Sequence, residues 1–296
     1  MLGLTIDVKQ VSAAILSDGG DFVCVDNTPT PPDSYRDCLL AIQQLVTKIA
    51  PDHTSPIGVA IPANLRDDMV SASSLGYLNG KPLARDLQAS LGREVRLQNS
   101  GHCFTQYEAQ HLAPLNGSGP VPSVFGMVID TACHGGLSIN GQIVTGSNGI
   151  TGNWAHVPLP SPVPYELDGQ ECWCGRTGCL ETFLSAAGLE DDYYKITETR
   201  LSALDIAAAA ANNDIVAESA LQVLEDRIGR ATAAIINLID PDVIVLGGMV
   251  GALPRLVDNV PRKWPGYVIS KKPATRLQST INSTQSILGG AALLAV

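Results

Sequence analysis

The sequence has few aromatic residues, little positive charge and no long apolar run. Aromatic side chains make up 5% of the 296 residues, and 19 Lys and Arg face 29 Asp and Glu, for a formal net charge of −10. This charge gives no sequence-independent attraction to nucleic-acid phosphates or anionic lipids, so we expect neither partner. No apolar run reaches the roughly 18 residues of a membrane span, and the first residues lack the regions of a signal peptide. We therefore expect a cytoplasmic protein.

The seven cysteines are unevenly distributed. Three of them, Cys172, Cys174 and Cys179, lie within eight residues and follow His156. A C-x-C-x4-C run with a nearby histidine offers the four nitrogen and sulfur ligands of a closed tetrahedral zinc site, which suits structure better than catalysis. Gly175 and Gly178 would let the chain turn tightly around the ion. The alternative is a set of free, packed cysteines.

The apolar pattern predicts strands and helices that alternate in two similar halves. Leu2, Leu4 and Ile6 alternate as in a half-buried strand, and a hairpin is predicted across the turn 18–21. The remaining predictions for both halves are a helix over 35–49, a buried strand at 57–61, a second opening strand at 124–129, and a hairpin turn at 140–141. This repetition indicates an internal duplication. The proline- and glycine-rich stretch 113–122 marks the boundary.

Further predictions concern the C-terminal half. Apolar residues from Ala217 to Leu238 recur at steps of three and four, which predicts a long core-facing helix that ends before Asp240-Pro241. Val243–Leu246 is predicted as a buried strand. Gly247 and Gly248 follow it directly, where backbone could approach a ligand closely, although a plain turn is an equal alternative.

Two stretches carry a resemblance to a known family. Gly149-Ile-Thr-Gly-Asn-Trp-Ala-His156, followed by Cys172-Trp-Cys-Gly-Arg-Thr-Gly-Cys-Leu-Glu181, resembles the zinc-binding signature of the ROK family (repressors, open reading frames and kinases), and most of all its bacterial fructokinase or mannofructokinase branch. Other stretches agree in order and spacing: Leu78-Asn-Gly-Lys-Pro-Leu83, Arg93-Glu-Val-Arg-Leu-Gln-Asn99, Asp240-Pro-Asp-Val-Ile-Val-Leu-Gly-Gly248 and Gly289-Gly-Ala-Ala-Leu-Leu294. The resemblance covers essentially the whole chain.

The resemblance implies an α/β, actin-like (ribonuclease-H-like) duplicated fold with two lobes. We expect the N-terminal lobe at 1–112, completed by a last helix at about 287–296, and the C-terminal lobe at 113–286. The family implies transfer of the γ-phosphate of ATP, with Mg²⁺, to a hexose, and a homodimer. Its repressor members carry a helix-turn-helix ahead of the first strand, which we do not expect here because the first strand begins at residue 2.

The resemblance also assigns the sugar site, with two departures. The family's catalytic Asp is Ser100 here, and a serine hydroxyl cannot accept the sugar proton as a carboxylate does, a loss of roughly 10²–10⁴ in rate. The implied sugar ligands are Asn99, Asn153, His156 and Glu181, with Asn153 in place of a family Glu. Structural alternatives are a helix cap for Asn99, a purely metal-binding role for His156 and a helix-start role for Glu181.

The implied nucleotide site departs further from the family. Its residues would be Asp7, Thr131, Gly135, Gly136, Gly247 and Gly248. The family's first phosphate loop, Asp-x-Gly-Gly-Thr-Lys, is here Asp7-Val-Lys-Gln-Val-Ser12, and its second, Gly-Thr-Gly-x-Gly-x-Gly, is Asp130-Thr-Ala-Cys-His-Gly-Gly136. Both loops place side chains where phosphates need bare backbone, which disfavours ATP and Mg²⁺.

Three functions remain open on this basis. The favoured one is a fructokinase-like protein that binds a sugar or sugar-like ligand with little or no phosphoryl transfer. The second is an active ATP-dependent kinase for fructose or a related hexose, and the third is a scaffold subunit of an assembly.

Overall fold

The computed structural model describes residues 1–17, 19–51, 54–113, 119–280 and 282–296. Asp18 of the predicted turn and residues 114–118 of the predicted boundary lie outside these ranges. Internal contacts divide the chain into two compact units. Unit 1 comprises Met1–Ala113, Gly136–Gly152 and Thr284–Val296, and unit 2 comprises Pro114–Gly135 and Asn153–Ser283.

Unit 1 is built on a five-stranded sheet. Its strands are β1 (Leu2–Ile6), β2 (Gln10–Leu16), β3 (Phe22–Pro29), β4 (Ile57–Ile61) and β7 (Val95–Asn99), in the spatial order β3-β2-β1-β4-β7. β1 pairs antiparallel with β2 and parallel with β4. The predicted hairpin of β2 and β3 is confirmed, since the two strands pair antiparallel.

The helices of unit 1 cover both faces of this sheet. They are α1 (Tyr35–Ile49), α2 (Leu83–Leu91), α3 (Ser100–His111) and α10 (Ser283–Leu293), and β5 (Ala63–Arg66) and β6 (Met69–Ser73) form a separate two-stranded sheet. The expectation of a half-buried β1 is wrong, because all five of its residues are buried. Leu2 and Leu4 pack in one cluster with Ile42 of α1, whereas Gly3 faces α10.

Two glycines set the distance between α10 and the sheet. A Cβ at Gly58 would lie 1.7 Å from the carbonyl oxygen of Ala291, and one at Gly3 would lie 2.4 Å from that of Leu288. Because real Cβ atoms cannot approach so closely, any larger residue would push α10 away from β1 and β4.

A second five-stranded sheet repeats this plan. Its strands are β8 (Ser123–Ile129), β9 (Cys133–Ile139), β10 (Gln142–Ile143), β11 (Val243–Gly247) and β12 (Arg276–Ser279), in the spatial order β10-β9-β8-β11-β12. β9 and β10 pair across Asn140 and Gly141, which both have left-handed φ values, 51° and 77°. β11 runs parallel to β8 and β12. The repeated order confirms the predicted duplicated α/β fold.

The helices of unit 2 are α4 (Leu180–Leu184), α5 (Ala186–Thr197), α6 (Ala203–Ala211), α7 (Ile215–Ile239), α8 (Gly248–Gly251) and α9 (Arg255–Asn259). α7 is the predicted long helix, and it ends at Ile239, before Asp240 as expected. The prediction that Leu238 faces the core is wrong, because this side chain is 85% exposed. Leu238 lies in the last turn of α7, beyond Ile235 and Ile236, which are the last buried residues of the helix. None of the helices in the described ranges is long and apolar enough to cross a membrane.

Candidate functional site

The four predicted metal ligands meet at one point of unit 2, and we call them the metal-ligand cluster. The ligand atoms of His156, Cys172, Cys174 and Cys179 all lie within 4.8 Å of one another. Cys172 Sγ is 3.5 Å from His156 Nδ1, and the sulfurs of Cys174 and Cys179 are 3.6 Å apart. Zinc bonds of about 2.3 Å to sulfur and 2.0–2.1 Å to nitrogen give tetrahedron edges of roughly 3.5–3.8 Å. The cluster therefore has the size and the ligands of a tetrahedral zinc site.

Backbone pairing and two glycines hold this loop in shape. Leu180 N donates to Val157 O at 2.9 Å, and Cys172 N donates to Arg176 O at 2.8 Å. Gly175 and Gly178 have φ values of 83° and 75°, the left-handed region that other residues rarely adopt. The two glycines thus serve the turn predicted from the sequence.

Sequence reasoning missed what anchors the proline-rich segment ahead of the loop. Glu166 lies in this segment and accepts hydrogen bonds from Arg227 and Arg230 of α7 at 2.8–2.9 Å. Arg230 also donates to the carbonyl oxygens of Pro160 and Ser161. The available signal was the spacing of Arg227 and Arg230, which interrupt the apolar stripe of α7 on its core side.

The charges of this anchor are buried together. The side chains of Glu166, Arg227 and Arg230 are 0%, 3% and 2% exposed. Burial alone raises the pKa of Glu166, but hydrogen bonds from Arg230 and Arg227 outweigh it and lower the pKa to about 2. The carboxylate therefore stays ionised, because two guanidinium groups compensate for its lost hydration.

Glu181 lies beside the metal-ligand cluster, and only one of its two carboxylate oxygens accepts a hydrogen bond among the described residues. It is 7% exposed, and its Oε1 accepts a hydrogen bond of 3.0 Å from Trp173 Nε1. Its Oε2 is 3.6 Å from His156 Nε2 and has no hydrogen-bond partner among the described residues. Burial raises the pKa of Glu181 to about 7. Burial, with the charge of Arg176, lowers the pKa of His156, which favours the neutral imidazole that binds metals. The structure thus brings two predicted sugar ligands, His156 and Glu181, next to each other.

Asn99 and Ser100 lie in unit 1, where β7 meets α3. Asn99 caps α3, because its Oδ1 accepts a hydrogen bond of 2.7 Å from Gly101 N. Its Nδ2 donates to Ala63 O at 2.9 Å. Ser100 is the first residue of α3 and is 3% exposed. The capping role is thus present, and it leaves only part of the Asn99 amide for a ligand.

His102 follows Ser100 by two residues, but both of its ring nitrogens are already engaged. Nδ1 is 3.1 Å from Gln98 Oε1, and Nε2 is 2.7 Å from Thr151 O. Burial lowers its pKa. Both ring nitrogens of this histidine are therefore engaged within unit 1.

The segment 130–136 is bound to neighbouring parts of unit 2 through Asp130. Asp130 Oδ1 accepts hydrogen bonds from Thr131 N at 2.7 Å and from Thr131 Oγ1 at 3.3 Å. Its Oδ2 accepts a hydrogen bond of 2.7 Å from Met249 N, in α8 directly after Gly248. The carboxylate thus occupies one backbone amide in the predicted stretch 131–136 and one directly after the predicted pair Gly247 and Gly248.

The predicted nucleotide glycines have their nearest neighbours within the protein. Gly248 has a φ of 85°, and a Cβ there would lie 2.3 Å from Ile129 O. Gly135 and Gly136 lie inside β9, where a Cβ would meet Gly126 O at 2.4 Å and Thr105 Oγ1 at 2.7 Å, respectively. Close packing alone therefore accounts for these glycines. Gly247 ends β11, and Thr131 is exposed.

The first predicted loop is a tight, exposed turn in unit 1. Asp7 N donates to Gln10 O at 2.9 Å, and Thr30 Oγ1 donates to Asp7 O at 2.6 Å. Asp7, Val8 and Lys9 are all exposed. Asn153, in unit 2, directly precedes the short helical turn Trp154–His156 and is half-buried.

The chain is similar over its length to sugar kinases. N-acetyl-D-glucosamine kinases from Shigella boydii and from Escherichia coli O1:K1 are each 28% identical to it, over 99% of this chain and 98% of the relative. Neither carries the name fructokinase, so these two relatives give no support to the predicted fructokinase likeness.

Solved structures of related proteins share the fold. A glucokinase from Streptomyces griseus, in complex with glucose and AMPPNP, superposes with a TM-score of 0.85 at 20% identity, covering 99% of this chain and 98% of that one. A hexokinase from Thermus thermophilus gives a TM-score of 0.79 at 23% identity, covering 99% and 96%. The ROK family model matches residues 1–296. With the duplicated sheets and the metal-ligand cluster in place, this chain belongs to the ROK family.

Proposed function

We propose that this ROK protein binds a sugar or sugar-like ligand and transfers phosphoryl groups from ATP weakly or not at all. One observation carries the proposal: the Asp130 carboxylate accepts hydrogen bonds from the backbone amides of Thr131 and Met249. In the family these stretches would have to receive phosphates on bare amides.

Electrostatics oppose phosphates at this loop. A carboxylate within about 4 Å of a phosphate oxygen repels it by about 4 kcal/mol at an effective dielectric near 20. A phosphate would also have to displace the two backbone hydrogen bonds that Asp130 already accepts. Millimolar affinity for ATP, or none, is expected.

The acceptor side has lost its base. Ser100 stands where the family has an Asp, and the neighbouring His102 is held through both ring nitrogens. A general base contributes typically about 10²–10⁴ to a rate. Even a bound ATP would therefore react slowly.

The sugar side retains acceptors that suit hydroxyl groups. Glu181 has one buried oxygen without a partner in the described residues, and His156 lies 3.6 Å from it. A buried acceptor of this kind costs free energy until a donor reaches it. A sugar hydroxyl is such a donor, which supports Glu181 and His156 as ligand-binding residues. Asn99 and Asn153 also belong to the proposed set.

We propose zinc as the ion of the metal-ligand cluster. His156 through Nδ1 and the thiolates of Cys172, Cys174 and Cys179 would hold it. Four protein ligands leave no open position, so zinc when bound would stabilise the loop and not take part in chemistry. His156 Nε2 would then stay turned toward Glu181, because a carboxylate beside the free nitrogen of a metal-binding histidine orients its ring.

An active kinase is the second candidate. It is favoured by the two N-acetyl-D-glucosamine kinases that align with nearly the whole chain. In that case Asp130 would hold Mg²⁺ at the phosphates, and Ser100 would be tolerated.

Calorimetry with zinc-loaded protein tests the proposal. We expect heat on titration with at least one member of a panel of N-acetylglucosamine, N-acetylmannosamine, glucose and fructose, and no micromolar binding of ATP with Mg²⁺. Micromolar ATP affinity would support the active kinase. An absence of heat with every sugar and with ATP would leave the scaffold function.

A further inference from the structure

We infer that Trp173 is a specificity-determining residue of the sugar site and selects a hexose that carries an apolar substituent, such as an N-acyl group. The inference rests on the proposed function as a sugar-binding protein. Trp173 lies between Cys172 and Cys174 but supplies no metal ligand itself.

The indole of Trp173 is fixed beside two sugar-binding candidates. Its Nε1 donates to Glu181 Oε1 at 3.0 Å. Its ring meets that of His156 edge to face, with centroids 4.8 Å apart and an interplanar angle of 83°. Such contacts hold an aromatic ring in one orientation.

Packing does not account for this residue. Trp173 is 47% exposed, whereas Trp154 and Trp264 are 5% and 3% exposed. Its N–H bonds to a buried carboxylate while about half of its surface remains open to solvent. A fixed, half-exposed indole beside an unpartnered buried acceptor supplies the apolar surface and the polar anchor that small-molecule sites combine.

The hydrogen bond from Trp173 also changes what Glu181 can recognise. An ionised carboxylate can accept about four hydrogen bonds on its two oxygens, and Trp173 Nε1 uses one of the two sites on Oε1. Oε2 keeps its full capacity, so a hydroxyl that binds there is fixed relative to the indole. The position of the indole then decides which substituent next to that hydroxyl makes contact with it.

An apolar group is the natural partner of the open indole surface. Tryptophan rings gain free energy by covering C–H surface, and a single methylene in an apolar pocket is worth roughly 10–200-fold in selectivity. An N-acetyl group supplies a methyl next to ring hydroxyls. The two relatives named for N-acetyl-D-glucosamine agree with this class of ligand.

Fluorescence offers a direct test, because Trp173 is the exposed one of the three tryptophans. We expect N-acetylglucosamine to change the emission of the unaltered protein and to leave that of Trp173→Phe unchanged. Trp264→Phe, whose ring is buried against Thr232, is the matched control and should retain the change.

Calorimetry on the same variants completes the test. We expect Trp173→Ala to lower the preference for N-acetylglucosamine over glucose by about ten-fold. Trp173→Phe keeps an aromatic ring but removes the hydrogen bond to Glu181 Oε1. Its preference should lie between those of the unaltered protein and Trp173→Ala. Zinc content must match in all variants, which separates a loss of selectivity from a loss of the loop.

The outcomes distinguish a failure of the role inferred for Trp173 from a failure of the proposed sugar-binding function. Sugar binding without a Trp173 signal, and with unchanged selectivity in Trp173→Ala, overturns this inference and leaves the proposed function intact. An absence of binding by every sugar overturns the proposed function itself, and the inference with it.

Discussion

The loop at 156–179, which carries the metal-ligand cluster, and the segment 130–136 differ in where their polar atoms point. In the loop, one nitrogen and three sulfurs converge on a space of zinc size. In the segment, the Asp130 carboxylate turns back onto the amides of Thr131 and Met249. One region presents its ligand atoms to an ion, whereas the other satisfies its own backbone. The ligand atoms of the loop are thus placed to receive a metal ion, whereas the amides of Thr131 and Met249 are already engaged within the protein.

Replacement of one metal ligand should have the largest effect. We expect Cys179→Ser to bind less than about half an equivalent of zinc and to unfold at a clearly lower temperature, because structural zinc sites supply binding free energies of about 10–16 kcal/mol. Metal analysis and thermal unfolding measure both. Cys24→Ser, outside the cluster and half-buried, is the control and should retain full zinc. Equal zinc content in both variants would exclude Cys179 as a ligand.

Loss of the anchor that holds the segment before the loop should come next. Glu166→Gln leaves the buried Arg227 and Arg230 with only the more exposed Asp192 and Asp226 as counter-charges, which costs about 3 kcal/mol in the free energy of unfolding. Glu218→Gln breaks a more exposed pair with Arg255, with side chains 38% and 27% exposed, and should cost about 1 kcal/mol or less. Chemical denaturation compares the two variants. Similar costs would contradict a special role for the buried network.

Glu166→Gln should also differ from the unaltered protein in how its stability depends on acid pH. The pKa of Glu166 is lowered in the folded state to about 2, from an ordinary value of 4.5. Its contribution to stability is therefore present above pH 4.5 and is lost as the pH falls toward 2. Between these pH values we expect the unaltered protein to lose more stability than Glu166→Gln, because the variant has no carboxylate to protonate at this position. Denaturation curves across this range that differ by a constant amount would contradict the assignment.

Opening the second phosphate loop should have a smaller effect. Asp130→Asn removes the charge and Asp130→Gly also restores bare backbone, so both should tighten ATP binding by about ten-fold or more. Calorimetry with ATP and Mg²⁺ measures this, and Asp258→Asn in α9 is the matched control. Weaker ATP binding in Asp130→Asn would indicate that Asp130 holds the metal of a working nucleotide site.

The smallest effect is expected from restoring the base alone. Ser100→Asp should raise hexose phosphorylation by less than about ten-fold, because a base without a positioned phosphoryl group has no reaction to assist. If the base were the single missing part, the gain would be roughly 10²–10⁴. An ADP-release assay distinguishes the two cases. The triple change that also converts Lys9 and Gln10 to glycine shows whether the first loop limits the gain.

Local sequence patterns predicted the elements and the metal ligands well. The spacing of apolar residues predicted α1, the two hairpins and α7, and four ligands within a short stretch of chain predicted the metal-ligand cluster. These features depend on periodicity and short spacing, which a single sequence displays. The full burial of β1 was missed because it depends on α10, far away in the chain.

Contacts between distant residues explain most of what sequence reasoning could not supply. Asp130 and Met249 are 119 positions apart, and Glu166 and Arg227 are 61 apart. The sequence shows that Asp130 stands in a loop that ends in two glycines, but not that its carboxylate accepts hydrogen bonds from two amides. Trp173 and Glu181 are 8 positions apart, yet their hydrogen bond depends on how the loop folds.

The turnover of the unaltered, zinc-loaded protein tests the central claim most directly. ADP release would be followed at saturating ATP and Mg²⁺ with N-acetylglucosamine, glucose and fructose in turn. A loop closed by Asp130 and a base position held by Ser100 predict a rate far below the roughly 1–100 per second typical of kinases. A rate within that range with any of the three sugars would contradict the account and identify the protein as a working hexose kinase.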